Sequence, residues 1–107
     1  MSFFKRIFVS PAPAIQPWGL ISVLTDLTTP LGDRDDAAMD LCEYDEATPI
    51  LAMIMSREGE DEMIVDSCAN SLYEIFERTQ KVDRTIVNQM PKHWQDAVSK
   101  LEGAHPA

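Results

Sequence analysis

The chain has 107 residues, 45% of them hydrophobic and 25% charged, with a formal net charge of −9, the proportions of one folded domain of ordinary composition. Such a length buries roughly two-thirds of its unfolded surface, enough for a core without covalent staples, and two cysteines exclude a disulfide scaffold or, alone, a tetrahedral zinc site. The longest uncharged stretch, Ile7 to Thr25, holds three prolines and so excludes a membrane span; with no sectors of a secretory signal at the start, a cytoplasmic protein is expected.

Helical periodicity runs through most of the chain, and sustained strict alternation is missing. Phe3-Phe4-Lys5-Arg6-Ile7-Phe8 reads as a short helix packed on the body, and Ser10-Pro11-Ala12-Pro13 breaks any regular element. Pro17 suits the first turn of a helix whose wide apolar face is Trp18, Leu20, Ile21, Val23, Leu24 and Leu27. Leu20 to Leu24 alone would also suit a strand, but the flanking proline and the i, i+3, i+4 spacing favour helix. Thr28 to Gly32 ends it. Asp33 is placed to cap a second helix with Ala37, Ala38, Leu41, Cys42 and Tyr44 inward.

Asp45 is placed to cap a third helix, with Pro49 in its early turns and Ile50, Leu51, Ile54 and Met55 inward; Gly59 stops it. The spacing predicts a fourth helix from about Glu60 to Arg78, with Val65, Cys68, Ala69, Leu72, Ile75 and Phe76 on one face and acids in its first turn, where the helix dipole favours them. Asp83 then caps a short helix through Ile86, Val87 and Met90. Pro91 opens the last helix, with Trp94, Ala97, Val98 and Leu101 inward. The expected architecture is therefore all-α and single-domain, with about six helices: a segment 1–16, helix pairs at 17–44, 45–78 and 83–102, and a polar tail 103–107.

The charge is uneven. Residues 1–34 carry three basic residues against two acids, residues 35–66 carry eleven acids against Arg57 alone, and residues 67–107 carry five of each sign. The middle third thus holds the whole excess, a field that repels nucleic acid and attracts a basic partner. Groups that would carry a reaction are sparse. His93 and His105 have no metal-binding partner at i+3 or i+4 and read as surface histidines. Cys42 and Cys68 lie on apolar stripes in acidic surroundings, where a thiol is a small hydrophobe rather than a nucleophile. Glu58-Gly59-Glu60-Asp61-Glu62 lacks the spacing of a calcium loop, and the four glycines are not clustered as in a phosphate loop. No catalytic residue, metal or cofactor is expected, and the chain is not read as an enzyme.

A face stands out instead. With Val65, Ala69 and Leu72 inward, Met63, Asp66, Asn70, Glu74 and Glu77 point outward together, with Glu62 at the start of that helix. On the second helix Asp36, Met39, Asp40 and Glu43 do likewise. Carboxylates steer a basic partner and pair with its arginines, while exposed methionines give adaptable apolar contact.

Shifting the sequence by 31 brings similar residues together: Leu20 and Leu51, Val23 and Ile54, Asp35 and Asp66, Ala38 and Ala69, Leu41 and Leu72. With Ala47-Thr48-Pro49-Ile50-Leu51-Ala52-Met53-Ile54 followed by Glu60-Asp61-Glu62-Met63-Ile64-Val65-Asp66-Ser67-Cys68-Ala69-Asn70-Ser71-Leu72-Tyr73-Glu74-Ile75, the chain resembles the HEAT-like helical repeats. That family places a proline early in its first helix and opens the second with acids, then a valine, a small pair and a leucine. The match covers roughly residues 17–78 well and 83–102 poorly, and Asp66 stands where the family often has a basic residue. The resemblance implies stacked helix pairs whose second helices line one surface. In size, acidity and lack of catalytic groups the chain also resembles the small cytosolic immunity proteins that accompany bacterial contact-dependent toxins. This implies a 1:1 complex with a basic toxin domain, a nuclease, whose cleft the acidic face would occlude, without direct nucleic-acid binding or membrane insertion. An adaptor or scaffold subunit of a protein complex is the other reading.

Overall fold

A computed structural model describes residues 15–104; the expected helix over Phe3–Phe8 and the tail residues 105–107 lie outside the described residues. Over that span the protein is all-α, with no strand: α1 (Trp18–Thr25), α2 (Leu31–Asp40), α3 (Thr48–Met55), α4 (Glu62–Thr79), α5 (Arg84–Val87) and α6 (Lys92–Ala104). Two 3₁₀ turns, Leu41–Glu43 and Asp45–Ala47, join α2 to α3. Among the described residues no helix is long and apolar enough to cross a membrane.

Local chemistry sets most of the boundaries. Asp26 ends α1: its carboxylate accepts the Thr28 backbone N–H at 2.9 Å and the Thr28 hydroxyl at 2.6 Å, an Asx-type turn that competes with helix. Asp61 caps α4 by accepting the Met63 N–H at 2.8 Å, and Asp83 caps α5 by accepting the N–H groups of Thr85 and Ile86. Gln80 closes α4 in the left-handed conformation, φ 60°, and donates its N–H to the Phe76 carbonyl at 2.8 Å.

Three expected boundaries move. Extended Pro30 holds the position before α2, so Asp33 falls inside the first turn rather than at the cap. Its charge meets the positive helix end there. Asp45 opens a 3₁₀ turn and turns its carboxylate to Arg78 instead of capping α3. Gly103 and Ala104 continue α6, because in a last turn glycine breaks few hydrogen bonds.

In the assembled chain, α1 packs on α2 and α3 on α4, while α2 and α6 lie against different flanks of α4. Leu24, Leu41, Leu51, Ile54, Ile64, Cys68, Ala69, Leu72 and Val98 have no exposed surface. The α4 stripe holds the expected Cys68, Ala69, Leu72, Ile75 and Phe76 and differs at its start, where Ile64 is fully buried and Val65 half-buried. Ser67 and Ser71, both buried, take the flank against α2. Trp18 and Leu27, expected on the inner face of α1, are exposed, and Cys42, Tyr44 and Ile50 are half-buried. The cause for α1 is that α2 is its main neighbour and covers one side of it.

Candidate protein-binding face

A polar seam holds α2 beside α4. The Ser67 hydroxyl donates to Asp35, the Ser71 hydroxyl donates to the Ala38 carbonyl at 2.5 Å, and the Asn70 amide reaches the Met39 sulfur at 3.7 Å. Farther along, Arg78 donates to the Cys42 carbonyl at 2.9 Å and pairs with Asp45. Contacts on the two helices advance together, so α2 and α4 run parallel. The small serines hydrogen-bond across the seam, so their buried hydroxyls are satisfied.

This seam joins the two acidic ridges into one surface. Asp36, Met39, Asp40 and Glu43 are exposed on α2 and the turn after it. Glu62, Met63, Glu74 and Glu77 are exposed on α4. Asn70 is half-buried between them, against Met39. Among the described residues no cation forms an ion pair with Asp36, Asp40, Glu43, Glu62, Glu74 or Glu77. Desolvation first, then the charges of Asp36 and Glu43, push the Asp40 carboxyl above its ordinary range. The like charges on this ridge are therefore close enough to oppose one another.

Asp66 is the exception. It is exposed, but one oxygen accepts the Trp94 indole N–H at 2.7 Å and lies 2.9 Å from His93 Nε2, and Trp94 in turn packs against Tyr73. Asp66 thus ties α6 to α4 in the way that Asp35, its equivalent 31 residues earlier, ties α4 to α2. Its charge is partly committed inside the molecule, and that separates it from the rest of the face.

A second polar group escaped sequence reasoning. Arg34 and Glu60 form a bidentate pair at 2.8 and 3.1 Å, with side chains only 6% and 3% exposed. Arg34 Nε donates to the Leu24 carbonyl at 2.8 Å, Glu60 also accepts the Asp61 N–H at 3.0 Å, and Arg57 stands 3.5 Å from the same carboxylate. One ion pair thus fastens the end of α1, the start of α2 and the loop before α4. Gly59, at φ 81°, supplies the left-handed turn that directs Glu60 inward. A signal was present: Arg34 precedes Ala37, Ala38 and Leu41 at 3, 4 and 7 residues, on the buried stripe. Glu60 had none, since it lies in a run of acids.

Neither cysteine is activated. Burial pushes the Cys68 thiol up to about 12, and burial together with the Glu74 carboxylate raises that of half-buried Cys42. Compared with known protein families, curated proteins and solved structures, the chain has no match.

Proposed function

We propose that the chain is a protein-binding module whose α2–α4 face receives a basic partner. In its sharpest form it is an immunity protein that covers the cleft of a basic toxin domain, a nuclease. The observation that carries this reading is the exposed ridge Asp36–Asp40–Glu43, crowded by like charge and without an ion-pair partner among the described residues, continuous through Met39 and Asn70 with Glu74 and Glu77. A cationic partner relieves that crowding, so binding favours the charged form of Asp40. An array of fixed carboxylates also imitates the phosphates that a nuclease cleft is built to hold. Met39 and Met63 supply adaptable apolar contact among the charges.

The test co-expresses the chain with the product of the neighbouring reading frame, and co-purification of a basic domain is the expected result. Asp36→Asn with Asp40→Asn and Glu43→Gln is expected to slow association about tenfold at low salt and to flatten its salt dependence. The fold is retained, because these side chains are solvated. Met63→Ala is expected to leave association unchanged and to speed dissociation by about fivefold, the effect of a desolvated apolar contact of modest size. Stopped-flow kinetics at low and high salt separate the two. Unchanged rates in both sets would remove the face from the interface.

A further inference from the structure

Ser67–Asp35, Ser71–Ala38 and Asn70–Met39 are three rungs of the seam between α4 and α2. Two of them end on oxygen. The third ends on a thioether: the Asn70 amide donates to Met39 Sδ at 3.7 Å, and a thioether sulfur is a weak acceptor. Among the described residues the half-buried Asn70 side chain has no other hydrogen-bond partner. A good donor is thus held against a poor acceptor. Met39 is also open to solvent, 42% exposed, as are Met63 at 43% and Met53 at 48%, whereas Met55 and Met90 are buried.

We propose that Met39 is an oxidation site: a hydroperoxide converts its thioether to the sulfoxide, and the Asn70 amide both favours the transfer and holds the new oxygen. The peroxide O–O bond breaks as the S–O bond forms. Sulfur gives up two electrons and keeps one oxygen; the other oxygen takes the peroxide proton and leaves as water or an alcohol. No protein group gains or loses a proton.

Negative charge builds on the oxygens during this transfer, and the N–H beside the sulfur meets it. Methionine has three rotatable bonds, so the sulfoxide oxygen turns to Asn70 without moving either helix. A strong acceptor then replaces a weak one on the seam. The thiols compete poorly for the oxidant. Burial pushes the Cys68 thiol up to about 12 and raises that of Cys42, so little thiolate is present to react. The chemistry is that of the free chain and does not depend on a partner at this face.

The test exposes the full chain to dilute hydrogen peroxide at neutral pH and follows each methionine by peptide mapping in a mass spectrometer. The oxidant is uncharged, so the acids around Met39 neither attract nor repel it. By exposure alone Met39 would react no faster than Met53 or Met63. With the Asn70 donor it is expected to react about fivefold faster, the rate equivalent of one ordinary hydrogen bond. Asn70→Leu keeps a branched side chain and removes the donor. It is expected to bring Met39 down to the rate of Met63 and to leave Met53 and Met63 unchanged, with helical circular dichroism kept. Asn70→Ala is expected to do the same without adding bulk to the seam. In Met53→Leu with Met63→Leu, where Met39 alone of the methionines among the described residues stays exposed, the sulfoxide is expected to keep the urea midpoint of the unoxidised variant. Equal rates at Met39, Met53 and Met63 in the parent chain would overturn the proposal. So would a lead for Met39 that survives both Asn70 substitutions, or a urea midpoint that falls on oxidation while Asn70 is intact.

Discussion

Glu60→Ala is expected to cost about 3–5 kcal/mol, read as a fall in the urea midpoint, because it strands a buried guanidinium. Arg34 keeps its bond to the Leu24 carbonyl at 2.8 Å but loses both contacts to the carboxylate. Replacing both partners by apolar residues, Arg34→Met with Glu60→Leu, is expected to recover most of the loss, since the desolvation of both charges is then avoided. Non-additivity between the two single variants measures their coupling. The pair also has a pH signature. The hydrogen bonds from Arg34 hold the Glu60 carboxyl below its ordinary range, against the opposing effect of burial. Its contribution is therefore complete above the unfolded-state value of about 4.3 and is lost as pH falls through the lower folded-state value. Glu60→Gln is expected to flatten that acid limb. Asp40 works with the opposite sign and in a different window: its folded-state value is raised, so ionising it weakens the fold as pH rises from the unfolded-state value of about 3.9 through the raised folded-state one, and Asp40→Asn removes this effect.

Leu72→Ala is expected to cost about 2–5 kcal/mol, the range for a leucine lost from a core that cannot collapse around the space. Leu72 has no exposed surface and lies midway along α4, between Cys68, Ala69, Ile75 and Phe76 on the same buried side. α3 packs along this helix, while α2 and α6 take other flanks. Small neighbours such as Ala69 cannot spread into the void. A loss of this size is a large part of the roughly 5–15 kcal/mol that holds an ordinary domain folded. A urea midpoint equal to that of the parent protein would contradict the assignment of Leu72 to the core.

The helices were legible in the sequence where periodicity and capping agreed. α5 carries both signals, and Asp83 caps it as expected; α4 was legible from periodicity, while its cap, Asp61, fell inside the expected span. The acidic faces expected on the second and fourth helices lie on α2 and α4, and these two helices pack side by side. Harder to read were features that depend on which flank of a helix meets which neighbour. Ile64 and Val65 are equivalent by hydrophobicity, and only contact with α3 and α2 decides between them. Trp18 reads as core by composition and is exposed because α1 ends the described stack. Asp66 sits on the same helical ridge as Glu74 and Glu77, and its bonds to His93 and Trp94 arise from a helix 27 residues further on. The Arg34–Glu60 pair joins residues 26 apart, a separation that no local pattern encodes.

The central position of α4 orders the way the molecule opens. At Cys68, Ala69, Ser71, Leu72, Ile75 and Phe76 α4 lies buried against its neighbours, so these amide protons exchange only when the whole cooperative unit comes apart. α1 is fastened mainly through α2, by apolar contact and the bond from Arg34 to its last turn. α6 is fastened to α4 by Asp66 and the Tyr73–Trp94 contact, with Val98 and Leu101 below them. Each end can detach at less than the full unfolding free energy while the α2–α3–α4 block persists. Native-state hydrogen exchange should therefore show three tiers: α1 and the α5–α6 region exchanging first and independently of each other, α2 and α3 later, and the middle of α4 last. A basic partner held on α2 and α4 would engage the slowest-exchanging part of the molecule, leaving both ends free to open while the complex stays intact.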